Sequence, residues 1–342
     1  MSAIVTILLS ALFAGLVAIL VTFLIERLGG LVGGVIGSTP SITIPTVIGI
    51  ALSSNETQDV FNAMTAIPVG LLVTASFLLV WRYLPLPLTQ KLHVESRSAL
   101  WLTLATSLCV WAGFAIISVI SMQQVGSVAG KYMSFLCLAL MLLTGFLVTY
   151  FPTPTPLHQH AHPGHSHAGS KSSWQVLATR GLLAGTATGV TVGISMVNEI
   201  AAGVLSSFPS ISLTTMVALW LAHGPELGLS AVGSTILGSG SVAFFSLAFG
   251  VFIHWFTFNI AVSCVLAYLV GLAYSVAVGL LLYYADKRKR YRSGVRVPSG
   301  RFALFDDVEE YVGELSDDDE NEVEPIVASF PGDEDISEAL LP

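Results

Sequence analysis

Two stretches decide the fold: GSTPSITIPTVIGIAL at residues 37–52 and SSFPSISLTTMVALWL at residues 206–221. They align without a gap. Six positions are identical, namely Ser38/Ser207, Pro40/Pro209, Ser41/Ser210, Ile42/Ile211, Thr46/Thr215 and Leu52/Leu221. Each copy follows a Gly-rich apolar stretch and places a proline among Ser and Thr residues inside an otherwise membrane-spanning sequence. Paired interrupted spans in the two halves of a membrane protein are typical of a transport site.

The composition is that of an integral membrane protein. Hydrophobic residues make up 54% of the chain, charged residues only 11%, and the mean hydropathy is +0.78. Residues 1–301 carry all fourteen Lys and Arg but seven acids, whereas residues 302–342 carry fifteen acids and no base. The three cysteines, Cys109, Cys137 and Cys264, fall in apolar segments. A disulfide framework and a CxxC metal site are therefore not expected.

Apolar runs of about 20 residues, the length that crosses a bilayer, predict an all-α fold with nine transmembrane helices. They lie near residues 3–25, 28–52, 60–82, 98–122, 133–151, 175–197, 199–221, 229–254 and 257–284. No Lys or Arg precedes the first run and no clear cleavage site follows it, so we expect a retained span rather than a signal peptide. Alternatively, the two interrupted segments are re-entrant, which leaves seven crossings.

Loop charge favours nine crossings. The basic run from Lys287 to Arg292 is expected in the cytosol by the positive-inside rule. Nine crossings then also place Lys91 and Arg97 in the cytosol and the sequon at Asn55 outside, with Lys131 as the one exception. An external N-terminus and a cytosolic C-terminus follow.

Five crossings separate the starts of the two motifs, and because five is odd the copies are inverted. The predicted organisation has five parts. Residues 1–151 form the first membrane repeat plus one extra span, 152–174 a His-rich cytosolic linker, 175–285 the second membrane repeat, 286–301 a basic juxtamembrane segment, and 302–342 a disordered acidic tail.

The repeated motif itself is the candidate substrate site. Prolines inside a helix remove a backbone donor and clash with the preceding turn, so Pro40, Pro45 and Pro209 are expected to kink or break their helices. The freed backbone groups need polar partners, since lipid offers none. The candidate residues are Ser38, Pro40, Ser41, Thr43 and Thr46, their counterparts Ser207, Pro209, Ser210, Ser212 and Thr215, and Glu199.

Which solute such a site binds depends on which helix end faces it. A helix start favours an anion or a carbonyl group, whereas the carbonyls that end a half-helix suit a cation. The alternative is structural: kinked helices whose hydroxyls bond to their own backbone. Glu199, beside Asn198, is either a proton or cation carrier or a residue of a short external loop.

A second candidate site lies between the two halves. His158, His160, His162, His165 and His167 occupy ten residues, and neutral imidazole is the commonest metal ligand. A flexible tract of this kind can bind zinc or copper, or it is a polar linker that binds metal incidentally. It resembles the His-rich loops of zinc transporters of the ZIP and cation-diffusion-facilitator families. Their intramembrane His–carboxylate pairs at helical spacing have no counterpart here, which argues against membership.

The acidic tail carries Ser316 followed by four acids, a pattern typical of an acidophilic kinase site. Its end, from Ser337 to Leu341, is similar to a dileucine sorting signal, although Ile336 stands where the acid belongs. A kinase or the sorting machinery is therefore an expected partner, besides the lipid bilayer. A solvated spacer is the alternative. We expect no nucleic-acid partner.

Enzyme motifs are missing: there is no nucleophile elbow, phosphate loop, dinucleotide fingerprint or HExxH. The sequence therefore predicts no enzyme but a multi-pass transporter, a secondary carrier with a divalent metal as one candidate cargo. A channel and a non-transporting scaffold or assembly factor are the alternatives. Ser41 and Ser210 are both expected to be needed for transport.

Overall fold

The computed structural model describes residues 3–28, 40–54, 56–150, 174–223, 225–256 and 259–293, all within one compact unit, Met1–Arg296. Several sequence predictions lie outside these residues. They concern Ser38, the sequon at Asn55, the five histidines of the linker and the acidic tail.

The described residues are helical, with no strand among them. The helices are α1 (Ala3–Leu28), α2 (Thr43–Ser53), α3 (Thr57–Tyr83), α4 (Ser96–Tyr150), α5 (Trp174–Ser195), α6 (Glu199–Leu205), α7 (Ser210–His223), α8 (Pro225–His254) and α9 (Ile260–Ser293). A 3₁₀ turn at Pro40–Ile42 leads into α2, and a π-helical turn at Pro87–Lys91 joins α3 to α4.

Six segments of the described chain are long and apolar enough to cross a membrane. They are Ala3–Leu20, Thr57–Lys91, Ser96–Val125, Ala129–Tyr150, Val232–His254 and Ile260–Leu282. Large apolar side chains cover the outward faces of several of them, as Leu8 on α1, Phe114 on α4 and Val265 on α9 do. Such faces are stable in lipid, and the chain is therefore a multi-pass integral membrane protein.

Two of these segments belong to the single helix α4, which is sharply bent. Trp81 of α3 donates to Ser107 of α4, and Ser134 of α4 donates to the carbonyl of Thr65. A straight helix would separate Ser107 from Ser134 by about 40 Å, whereas Trp81 and Thr65 are only about 24 Å apart along α3. The Met122 methyl lies 3.9 Å from where a Cβ of Gly130 would be. The first part of α4 thus runs antiparallel to α3 and the second part parallel to it.

Helices α3 and α8 form the centre of the fold. In the apolar part of their candidate membrane spans, 78% and 61% of the residues are buried, compared with 17% for α9 and 22% for α1. They contact each other where Gly250 of α8 lies against Met64 of α3 and where the rings of His254 and Phe61 approach to 5.1 Å. In the sequence, α3 and α8 each follow one copy of the repeated motif, so the helices after the two copies meet at the core.

Helix α5 packs directly on the backbone of α1. A Cβ at Gly185 would lie 2.7 Å from the carbonyl oxygen of Ala11, and one at Gly15 would lie 3.0 Å from that of Gly181. Gly189 continues this stripe toward Ile7, so the two helices run antiparallel. Small residues at this spacing allow the close approach that stabilises helix pairs in lipid. The glycines of α5 thereby hold it against α1.

The short helix α2 lies alongside α5 and runs parallel to it. The hydroxyls of Thr46 and Thr188 are 3.0 Å apart, and those of Ser53 and Ser195 are 2.8 Å apart. Gly49 of α2 leaves room for Val192 of α5. Because α1 is antiparallel to α5, α2 runs back along α1.

Helices α6 and α7 follow α3 in one direction. Gly203 of α6 contacts Ala63, the carbonyl of Ser207 accepts from Thr74 at 2.6 Å, and Trp220 of α7 lies edge-on to Trp81 with ring centroids 6.0 Å apart. The interrupted segment therefore continues past its break instead of turning back.

Candidate functional site

The prolines of the motif start helices rather than kink them. Pro40 opens the 3₁₀ turn that leads into α2, and Pro45 is buried within the first turn of α2. Pro209 directly precedes α7, which begins at Ser210. A proline at a helix start loses no intrahelical hydrogen bond, because the first N–H groups of a helix have no partner within it. Of the two expected effects, a kink or a break, the structure shows the break at Pro209, between α6 and α7, whereas Pro40 and Pro45 lie at the start of α2.

In the second copy, the break closes off the C-terminal end of α6. The carbonyl of Ala202 accepts from the Ser206 backbone, and that of Gly203 accepts from the Ser206 hydroxyl at 2.7 Å. The carbonyl of Val204 accepts from the backbone N–H and the hydroxyl of Ser207, and the carbonyl of Leu205 accepts from the Phe208 N–H. All four carbonyls that lack an intrahelical partner are thus satisfied by the protein.

Both copies of the motif line one cavity of about 40 Å³. Its lining residues are Thr43, Thr46, Ala184, Ala187, Thr188, Thr191, Ser206, Phe208 and Ser210. A water molecule needs about 10–15 Å³ on this measure, so the cavity has room for roughly three. Six of the nine side chains carry a hydroxyl, and none of the nine carries a charge. The cavity is polar yet neutral, and it lies where the two halves of the sequence meet.

Most of these hydroxyls belong to deeply buried residues. Thr46, Thr188 and Thr191 are 2–4% exposed and Ser210 is 7% exposed. Thr191 donates to the carbonyl of Ala187, one turn back in α5. Thr46 and Thr188 share one hydrogen bond across the wall of the cavity. A buried hydroxyl cluster of this kind is stable only if its members have polar partners.

The predicted site residues divide into two groups. Thr43, Thr46 and Ser210 line the cavity. Among the other described candidates, Ser207 is buried against Gly70 of α3, and Pro40 lies 3.2 Å from where a Cβ of Gly271 would be. Pro209 is buried, and Ser41, Ser212 and Thr215 are half-buried. Within the described chain, these residues position the two helix starts but are not part of the cavity lining.

Glu199 is the first residue of α6, where Asn198 caps the helix by accepting from Ala201 N–H at 2.9 Å. A carboxylate in the first turn interacts favourably with the helix dipole. It is not among the described residues that line the cavity. Its role as a proton or cation carrier stays a prediction.

The sequence interpretation overlooked Thr188 and Thr191 of α5 and did not include Ser206 among the candidates. The two threonines lie in TATGVTVG, residues 186–193, where they alternate with the glycines that face α1. Attention to polar residues between those glycines would have identified them.

An apolar groove of about 320 Å³ adjoins the cavity. The two share Ala187, Thr191 and Phe208. The Phe208 ring lies edge-on to Trp111 of α4 at 5.0 Å between centroids. Phe208 therefore separates a polar space from an apolar one.

The chain matches no known family model, no curated protein and no solved structure. Its function must therefore be argued from the cavity itself. Among the described residues, no group of three or more His, Cys, Asp or Glu side chains is placed to hold a metal ion. The five histidines predicted as metal ligands lie outside those residues, so zinc binding by the linker stays a prediction.

Proposed function

We propose that this protein is a membrane transporter, a secondary carrier whose solute site is the hydroxyl-lined cavity. One observation carries the proposal: the cavity takes its lining from both copies of the repeated motif, Thr43 and Thr46 from the first, and Ser206 and Ser210 from the second. Broken helices that meet at a polar site are a common construction in carriers. The proposal assigns the chain transport rather than catalysis.

The proposed architecture has nine crossings in two inverted repeats. The directions of the helices support it, since α2 runs back along α1, α6 and α7 continue together along α3, and α4 supplies two antiparallel parts. In this arrangement α1, the first interrupted segment, α3 and the first part of α4 correspond to α5, the second interrupted segment, α8 and α9. The second part of α4 is the extra span.

The proposed orientation has the N-terminus outside and the C-terminus in the cytosol, in the plasma membrane or an endomembrane. Lys131, the one cation on the wrong side, has a local stabilising partner: its ammonium lies 4.9 Å from the centre of the Phe61 ring. A cation–π contact of this kind lowers the cost of keeping the charge there.

A carrier is favoured over a channel because the cavity is small and its walls are packed. Five of the nine lining residues are more than nine-tenths buried, so we expect a solute held in this space of about 40 Å³ to leave through movement of a wall. Rocking of one repeat against the other would supply that movement.

The proposal is tested by ligand-induced stabilisation of the detergent-purified full-length chain. Divalent metals, amino acids, inorganic and organic anions, and sugars are compared in thermal unfolding, with and without residues 158–167. A solute that binds the cavity at one hundred times its Kd stabilises the folded state by about 2.7 kcal/mol. We expect at least one non-metal solute to raise Tm in both forms of the chain.

Metal effects are interpreted by the same comparison. A metal shift that vanishes without the histidines makes the linker an accessory binder, and one that survives makes the metal a candidate cargo. If no solute shifts Tm in either form, and shortening the tail instead abolishes function in cells, the scaffold alternative replaces the transporter.

A further inference from the structure

The hydroxyl hydrogens of the cavity can be counted. Each Ser or Thr hydroxyl has one hydrogen to donate. Thr191 and Ser206 donate theirs to carbonyls of α5 and α6, and one hydroxyl hydrogen forms the bond between Thr46 and Thr188. The hydrogens of Thr43 and Ser210 and one from the Thr46–Thr188 pair remain. The cavity can therefore offer three O–H donors to a solute.

Ser210 is the clearest of these donors. It is 93% buried by its 7% exposure, and its side chain makes no hydrogen bond to any described residue. Its backbone does form hydrogen bonds: the N–H donates to the Phe208 carbonyl, and the carbonyl accepts from the Thr214 hydroxyl. Within the described chain its Oγ is not among the fully buried side-chain atoms that lack a partner, so the hydroxyl is accessible from the cavity. Its place in the cavity lining indicates a bound group that accepts a hydrogen bond.

The helix dipoles give the cavity a positive potential. Thr43 begins α2 and Ser210 begins α7, helices of 11 and 14 residues, and both residues line the cavity. The start of a helix acts as about half a positive charge, so two starts together provide about one. The opposing carbonyl end, that of α6, is closed off by Ser206, Ser207 and Phe208. Among the described lining residues there is neither a carboxylate to bind a cation nor a Lys or Arg to balance a second negative charge.

We propose that the solute bound in this cavity is a small monovalent anion. This inference rests on the proposed transport function and adds the charge and size of the cargo. Two helix starts compensate one negative charge, three hydroxyls donate to it, and the volume of about 40 Å³ holds an ion of halide, nitrate or formate size. A dianion such as sulfate is left with uncompensated charge, and an alkali cation meets the positive ends of both helices.

The test is solute flux in liposomes that contain the full-length chain. Chloride, nitrate and formate are compared with sulfate, rubidium and glycerol, each against protein-free liposomes. We expect uptake of the monovalent anions only. Ser210→Ala is expected to lower kcat/KM for nitrate about tenfold to a hundredfold, the effect of losing one hydrogen bond to a charged group.

Ser246→Ala is the matched control. Ser246 is fully buried and donates to the Ala243 carbonyl of its own helix at 2.9 Å, and nitrate uptake should change less than twofold. If Ser210→Ala folds poorly, Thr46→Val provides a second test, because valine keeps the shape of the threonine side chain and lacks only its hydroxyl.

The outcomes separate the two proposals. Uptake of rubidium or glycerol that depends on Ser210, without anion uptake, overturns the anion assignment and leaves the transport function standing. Anion uptake that is unchanged in both Ser210→Ala and Thr46→Val overturns this cavity as the anion site. Absence of uptake for every solute overturns the anion assignment, and the transport function is then decided by the stabilisation comparison of the wider solute set.

Discussion

Ser210→Leu is expected to reduce transport to the level of protein-free liposomes. Leucine removes the hydroxyl that has no partner in the described chain and adds two heavy atoms beside a cavity of only about 40 Å³. The solute then loses both its space and a donor. Overpacking is expected to cost about 1–3 kcal/mol in stability. The measurement is initial uptake per reconstituted molecule, together with Tm.

Ser98→Leu is the matched control, because Ser98 is exposed on α4 and the same substitution there fills no cavity. It should keep near-normal uptake. If Ser210→Leu folds, reconstitutes and transports at more than half the normal rate, the cavity is not on the transport path.

Joining Thr46 to Thr188 by a disulfide is expected to stop transport reversibly. The two Oγ1 atoms are 3.0 Å apart, so cysteines at these positions bring their sulfurs close to each other, as a disulfide requires. The bridge fixes α2 to α5, which the proposed architecture assigns to different repeats. Rocking of the repeats then cannot open the cavity. Uptake of the Thr46→Cys/Thr188→Cys variant is measured after oxidation and again after reduction.

Cys109, Cys137 and Cys264 are first replaced by alanine, so that no other thiol takes part. Each single cysteine variant is treated in the same way as a control for the loss of a hydroxyl. Recovery of uptake on reduction is the result that the carrier mechanism requires. Equal uptake in the bridged and reduced states would instead favour a channel, in which these two helices need not separate.

The presence of apolar spans and of the break before Ser210 was predictable, because both follow from local sequence. Length and hydropathy are sufficient for α3 or α9, and Pro209 among serines marks the end of one helix and the start of another. The single helix α4 was not predictable as one element. Its apolar runs are separated by GSVAGK, residues 126–131, which resembles a loop by composition, whereas the helix continues through it with a bend.

The cavity was predictable only in part, since its lining comes from three separate segments. Thr43, Thr46 and Ser210 were found because the motif repeats. Thr188 belongs to α5, and only the packing of α5 on α1 through glycine brings it opposite Thr46. Conversely, Ser212 and Thr215 have hydroxyls in the right motif but the wrong position on α7, which sequence similarity between the copies does not reveal.

The central claim is that both repeats build one solute site, and a double-mutant cycle between them tests it most directly. Thr46→Val, Ser210→Ala and the double variant are compared by kcat/KM for the transported solute that stabilises the chain most. If both hydroxyls serve one bound solute, the effects are coupled, by about 0.5–3 kcal/mol. Effects that add to within about 0.3–0.5 kcal/mol would mean that the two residues act independently, and the single shared site would be contradicted.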